Sequence, residues 1–256
     1  MIKIAFFDID GTIYSHKSHS IPKSTKIAIN LLKEKGILVF TATGRGYGEL
    51  AELGIHELGF DGHVLLSGQL CIDQNQNVIY ENPLHPDDLL ILKELFDAKE
   101  YGIMVTEKDR MYINVVNDDI INMQKQISSA IPEVGEYLGA NVYQISIAGD
   151  REKLMDFDRY FNHAELTYWT KDFIDLIRKG GGKANGIKHV LNHYNFNESE
   201  MLAIGDANND LGMLKMAQIS ICMGNGEEEA KTIADYVTSD IDDNGFYNSL
   251  VNFSII

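Results

Sequence analysis

The chain has 256 residues, 22 basic and 38 acidic side chains, and a formal net charge of −16. With 45% apolar and 23% charged residues it can build one core, or a core with a smaller companion, which excludes disorder, collagen and coiled coil. The acidic excess argues against nucleic acid and anionic membrane surfaces as partners, and two distant cysteines, Cys71 and Cys222, suggest neither a disulfide framework nor a thiolate metal site.

Strand and helix signals alternate from the start. Ile2 to Phe7 is a short apolar run that predicts a strand buried on both faces, and it runs straight into Asp8 without a small-residue cleavage site. Pro22 opens a helix with Ile27, Ala28, Leu31 and Leu32 on its apolar face, closed by Gly36. A strand over Ile37–Ala42, a helix over Tyr47–Leu58, a strand over His63–Leu66 and a hairpin at 69–80 follow. After Asn82-Pro83 the rhythm changes. Helices are predicted near 86–100, 118–130 and 150–161, and strands near 102–106, 111–116, 142–148, 165–170 and 173–178. Adjacent strands without an intervening helix imply antiparallel pairing, hence an α+β block. Gly180-Gly181-Gly182 ends it, and a helix from about Ala184, a strand Met201–Ile204, a helix near 210–217 and a strand Ile219–Met223 resume the first rhythm. The expected fold is α/β: a doubly wound, mostly parallel, Rossmann-like sheet core formed by 1–82 and 180–256, with an α+β cap domain inserted at 83–179. No apolar run approaches the ~20 residues of a membrane helix, so the expected location is cytoplasmic.

Polar clusters sit where strands end. Asp8-Ile9-Asp10-Gly11-Thr12 follows the first strand; with an extended backbone, Asp8 and Asp10 would face the same side and repel unless a cation compensates. Gly205-Asp206-Ala207-Asn208-Asn209-Asp210 follows the strand from Met201 and precedes a helix. A helix cap accounts for one of these polar residues, not for the whole group. Asp8, Asp10 and Asp206 at neighbouring strand ends would make an oxygen-rich pocket suited to a hard cation, Mg²⁺ first. Thr41-Ala42-Thr43-Gly44-Arg45 ends the second parallel strand and offers a hydroxyl and backbone N–H groups to a phosphate. Lys183, in the first turn of its helix, opposes the helix dipole and calls for a nearby anion. It is not a nucleotide P-loop lysine, because Ile177 stands where that pattern needs its first glycine.

Together, Asp8-x-Asp10-Gly11-Thr12, Thr43-Gly44-Arg45, Lys183 and Gly205-Asp206-x-x-Asn209-Asp210 resemble the signature motifs of the haloacid dehalogenase superfamily, more narrowly its Cof-like sugar-phosphate phosphatases. Met223-Gly224-Asn225-Gly226, Ala234 to Thr238 and Asp243-Asn244-Gly245 resemble that subfamily's C-terminal stretch, so the likeness spans nearly the whole chain. The resemblance implies Asp8 as nucleophile and Asp10 as acid and base. It implies Thr43, Gly44, Lys183 and Asn209 as phosphate ligands. Mg²⁺ would be held by Asp8, the Asp10 carbonyl and Asp206, with Asp210 orienting the metal's waters or Lys183. Asp10 favours phosphate-ester chemistry, since the dehalogenases lack an aspartate there and the ion pumps carry threonine. The implied activity is Mg²⁺-dependent hydrolysis of a small phosphorylated metabolite by a monomer or weak homodimer. A phosphomutase using the same site, and a non-catalytic regulator binding Mg²⁺ and a phosphorylated ligand, are the alternatives.

Several features lie outside these motifs. Ser67-Gly68-Gln69 stands where the subfamily usually has Asn-Gly-Ala, and Gly226 where alanine is common. His16 and His19 form either a solvated loop or a second metal site, the loop being the more frequent outcome for such a pair. Tyr112, Tyr143 and Trp169 are candidates for stacking on a sugar or for packing the inserted block. Asp87-Asp88, Asp118-Asp119 and Glu227-Glu228-Glu229 read as helix-start acids.

Overall fold

The computed structural model describes residues 1–126, 129–149, 151–168 and 173–256. The chain divides into two compact units, Met1–Glu81 with Gly182–Ile256, and Asn82–Gly181.

In the first unit the apolar runs become β1 (Ile4–Phe7), β2 (Leu38–Ala42) and β3 (Gly62–Leu65), with α1 (Lys23–Glu34) and α2 (Tyr47–Glu52) between them. The hairpin is β4 (Leu70–Asp73) and β5 (Val78–Glu81). The helix expected over 47–58 is broken: Gly54 is left-handed (φ 70°), and only a 3₁₀ turn, Ile55–Leu58, follows. On α1, Thr25, Ala28, Ile29 and Leu32 are buried while Ile27 is 53% exposed, so the apolar face is rotated from the one expected.

The second unit holds α3 (Pro86–Ala98), β6 (Gly102–Glu107), β7 (Met111–Ile113), α4 (Asp118–Gln126), β8 (Val142–Ala148), α5 (Arg151–Leu154), β9 (Ala164–Tyr168) and β10 (Phe173–Arg178). Its strands form one antiparallel sheet in the order β7-β6-β8-β10-β9. Tyr112 and Tyr143 are buried, Tyr112 edge-on to Phe96 and donating to Glu107 Oε1 at 2.7 Å, so Tyr112 packs this unit's core. Trp169, and residues 127–128, 150 and 169–170 of the helices and strand expected at 118–130, 150–161 and 165–170, lie outside the described residues.

The first unit resumes with α6 (Lys183–Tyr194), β11 (Met201–Gly205), α7 (Leu211–Met216), β12 (Ile219–Cys222), α8 (Glu228–Ile233), β13 (Tyr236–Val237) and α9 (Gly245–Asn252). β13 and α9 have no counterpart in the sequence reading; β13 is only two residues long, too short for a periodicity to show. The eight strands run β13-β12-β11-β1-β2-β3-β4-β5, parallel up to β3 and antiparallel at the hairpin. Ile187, Val190 and Leu191 of α6 pack with Ile4, Phe6, Phe40, Met201 and Ala203, anchoring the helix that begins at Lys183. Among the described residues no helix is long and apolar enough to cross a membrane.

His63 on β3 is buried, with Nδ1 2.9 Å from the Thr41 hydroxyl on the paired strand. Burial, helped by the charge of His56, holds its imidazole down to about 4. The unfolded chain binds this proton near its ordinary value of about 6.5 and the folded chain does not, so stability is expected to fall as pH drops through that window, by about 3 kcal/mol. Urea midpoints between pH 7.5 and 4 check this. A His63→Asn variant is expected to show a flatter pH profile, and equal slopes would remove His63 as the cause.

Candidate active site

The parallel strands deliver their polar ends to one place. β1 lies between β2 and β11, with Phe7 level with both Thr41 and Ile204. The residues just beyond, Asp8, Thr43 and Asp206, therefore leave the sheet along one edge. This is the switch point, where the strand order reverses and an open α/β sheet leaves a crevice.

Lys183 closes the arrangement from α6. Its Nζ donates to Asp8 Oδ1 at 2.6 Å and to Asp210 Oδ1 at 2.7 Å, and all three side chains are buried. The anions that its helix position demands are these two. Asp210 is held in turn by the backbone N–H groups of Asp206 (2.9 Å) and Ala207 (3.1 Å), both donating to its Oδ2. Thr12, also buried, donates to Asp206 Oδ1 at 2.9 Å. Gly11 takes φ 84°, and a Cβ there would lie 2.4 Å from Asp206 Oδ2, so this turn accepts only glycine. Asn225 ties the turn down, donating to the Gly11 carbonyl at 2.8 Å and accepting from Ile241 N at 2.9 Å.

Asp10 does not join this cluster of carboxylates. The extended strand stops at Phe7, and the Asp10 side chain meets Arg45 in a two-pronged fork, with Nε and Nη2 each 2.7 Å from a carboxylate oxygen. His16 Nε2 adds a contact to Oδ1 at 2.9 Å. Arg45 is braced by Glu49 at 3.4 Å. Sequence reasoning had no role for Arg45 beyond its motif and considered His16 only with His19. In the structure His16 belongs to Asp10, and His19 is an exposed residue at φ 48°. The motif Thr43-Gly44-Arg45 carried a usable signal, a cation one residue past a candidate phosphate loop; His16 carried none.

Thr43 is buried, and its hydroxyl accepts from Arg45 N at 3.1 Å. Gly44 lies beside the Ser67 hydroxyl, so Ser67 faces the Thr43-Gly44-Arg45 loop. Asn209 is exposed in the 3₁₀ turn Asn208–Asp210 and is not drawn into the Lys183 network.

The electrostatics follow from crowding. Burial pushes Asp8 well above the usual carboxylate range; Lys183 offsets part of this, while Asp210, Asp206 and Asp10 add to it. Burial and then Asp210 raise Asp206 to about 7, against the Thr12 hydrogen bond. Burial alone would lower the Lys183 ammonium, but Asp210 and Asp8 outweigh it and hold the charge. The same ion pair thus pulls in two directions. We take the rise at Asp8 as the governing one, because one lysine charge faces three carboxylates. Asp10 is the opposite case: burial would raise it, yet His16 and Arg45 hold it well below the carboxylate range.

One oxygen from each of Asp8, Asp206 and Asp210 lies within 4.8 Å of the others. An all-carboxylate donor set with a deficit of positive charge fits a hard divalent cation such as Mg²⁺ and fits a soft one poorly.

These features can be compared with known proteins. The family model for haloacid dehalogenase-like hydrolases matches residues 5–250. YkrA of Bacillus subtilis (strain 168), a protein named as a phosphatase, is 32% identical over 246 residues, covering 95% of this chain and 94% of its own. YitU of the same strain, a 5-amino-6-(5-phospho-D-ribitylamino)uracil phosphatase, is 26% identical over 257 residues, covering 93% of this chain and 92% of its own. Among solved structures, the subclass IIB sugar phosphatase BT4131 matches with a TM-score of 0.84 and 29% identity, covering 99% of this chain and 100% of its own.

Proposed function

Because the chain belongs to the haloacid dehalogenase-like hydrolases and is a phosphatase, we propose that it uses Mg²⁺ to hydrolyse small phosphorylated metabolites, sugar phosphates first, through an aspartyl phosphate on Asp8. The observation that carries this reading is Lys183 bridging Asp8 and Asp210 beside Asp206, a buried anionic cluster with one resident cation. The Asp8 carboxylate oxygen attacks phosphorus, the ester P–O bond breaks, and the departing oxygen takes a proton from Asp10. Water then attacks the acyl phosphate, Asp10 takes its proton, and inorganic phosphate leaves with Asp8 restored. Asp10, held as a carboxylate by Arg45 and His16, is ready for the second of these steps. For the first it has to carry a proton against the Arg45 charge.

Thr43, the Gly44 N–H, Lys183 and Asn209 would hold phosphoryl oxygens, Asn209 turning in from its exposed position. Asp8, the Asp10 carbonyl and Asp206 would hold Mg²⁺, and Asp210 would orient Lys183. The cation supplies Lewis-acid withdrawal of charge from the phosphoryl oxygens, and with Lys183 it brings three positive charges to a dianion. The unit Asn82–Gly181 is read as the cap that selects the substrate. Sugar phosphates are favoured because a relative that matches over the full chain is a sugar phosphatase.

The test is phosphate release from sugar phosphates, nucleotides and an aryl phosphate, with Mg²⁺ and with chelator. Release that needs Mg²⁺, strongest on the sugar phosphates, is expected. Isomerised product without free phosphate would move the reading to a mutase, and release indifferent to chelator would remove the cation.

A further inference from the structure

We propose that His85, Asp87 and His163 form a second metal site, for a borderline divalent ion such as Zn²⁺ or Ni²⁺, independent of the carboxylate cluster. The three residues belong to the unit Asn82–Gly181. One ligating atom from each lies within 4.8 Å of the others. Asp87 Oδ2 is 3.4 Å from His85 Nδ1 and 3.6 Å from His163 Nε2. With metal–ligand bonds of about 2.0–2.2 Å, neighbouring ligands of a tetrahedral ion stand about 3.3–3.6 Å apart, so both separations already match edges of that polyhedron. The imidazole rings lie 3.9 Å apart at 31°, and small rotations of partly exposed side chains let them converge.

The backbone holds these groups together from two distant parts of the chain. His85 caps α3, and its Nδ1 accepts from Asp87 N at 3.2 Å, a long bond that an ion on that nitrogen would replace. Asp88 is fully buried, and its carboxylate accepts from the backbone N–H groups of Asn162 and His163, each at 3.1 Å. That cap clamps His163 over the start of α3, so the sequence reading of Asp87-Asp88 as helix-start acids covers only part of their work. The helix dipole disfavours a cation here, and the Asp87 charge offsets it. Two nitrogens and one oxygen select a softer ion than the all-oxygen cluster does. Asp87 is 70% exposed and His163 43%, which leaves room for an ion to enter and for water to complete its shell.

The full chain in excess Mg²⁺, titrated with Zn²⁺ by calorimetry, tests this. One Zn²⁺ per chain is expected that is weakened at least tenfold in His163→Ala and in Asp87→Asn, and Co²⁺ is expected to give a visible d–d band that both variants lose. Mg²⁺-dependent phosphate release and circular dichroism unchanged in the variants would show that folding is intact. Asp87→Asn, at an exposed position, serves if His163→Ala fails to fold. Zn²⁺ isotherms that are the same in wild type and the variants, or no Zn²⁺ binding by wild type, would overturn the site.

Discussion

Replacing Asp8 by asparagine is expected to abolish phosphate release, by roughly 10⁴-fold or more, while the protein stays folded. Asparagine keeps the shape of the side chain but has no anionic oxygen to form the acyl phosphate, so the covalent route is closed. The fold has little reason to suffer. Asp8 is buried against Asp210 and Asp206, and removing its charge relieves repulsion while costing one of the two ion pairs of Lys183. Thermal unfolding of the variant is expected close to that of wild type. Stable protein with residual activity above a few per cent would show that Asp8 is not the nucleophile, and an early melt would show that its charge is structural.

Lys183→Met is expected to cost about 3–5 kcal/mol of stability, the scale for removing one partner of a buried ion pair, and most of the turnover. Lys183 Nζ is the cation bonded to both Asp8 and Asp210; without it two buried carboxylates face each other and Asp206. Activity falls with it, since the attacking oxygen and the phosphate lose the same charge. Two measurements separate this cause from a simple packing defect. Added Mg²⁺ is expected to recover part of the lost melting temperature, because an ion that binds only the folded state stabilises it. Adding Asp210→Asn to Lys183→Met is expected to cost less than the two single changes together, since the partners share one interaction. A melt indifferent to Mg²⁺, with additive costs, would mean that repulsion is not the problem.

Much of this site is legible along the chain. An apolar strand followed by Asp8-x-Asp10, another followed by Asp206, and a lysine set against its own helix dipole are local patterns, and each marks a chemical demand that folding has to meet. The same local reading misjudged elements where two neighbouring residues compete for one role. On α1 the chain buries Ile29 and exposes Ile27, because the face is chosen by what packs on it and both residues satisfy the periodicity. At Gly54 a helical pattern continues through a residue that the backbone uses to turn.

What the amino-acid order alone determined is most of the elements and their polar ends, because strands and helices are specified largely by near neighbours. Only the tertiary structure decided which ends meet. Lys183 reaches Asp8 across 175 residues because β11 pairs beside β1, which also brings the strand end before Asp206 next to Asp8. Arg45 reaches Asp10, and His163 comes over His85, by the same kind of long-range closure. Such contacts depend on sheet order and on buried caps such as Asp88, which no periodicity records. Whether a carboxylate ends up crowded, as Asp8 is, or forked by arginine, as Asp10 is, depends on its final neighbours and on the water they exclude.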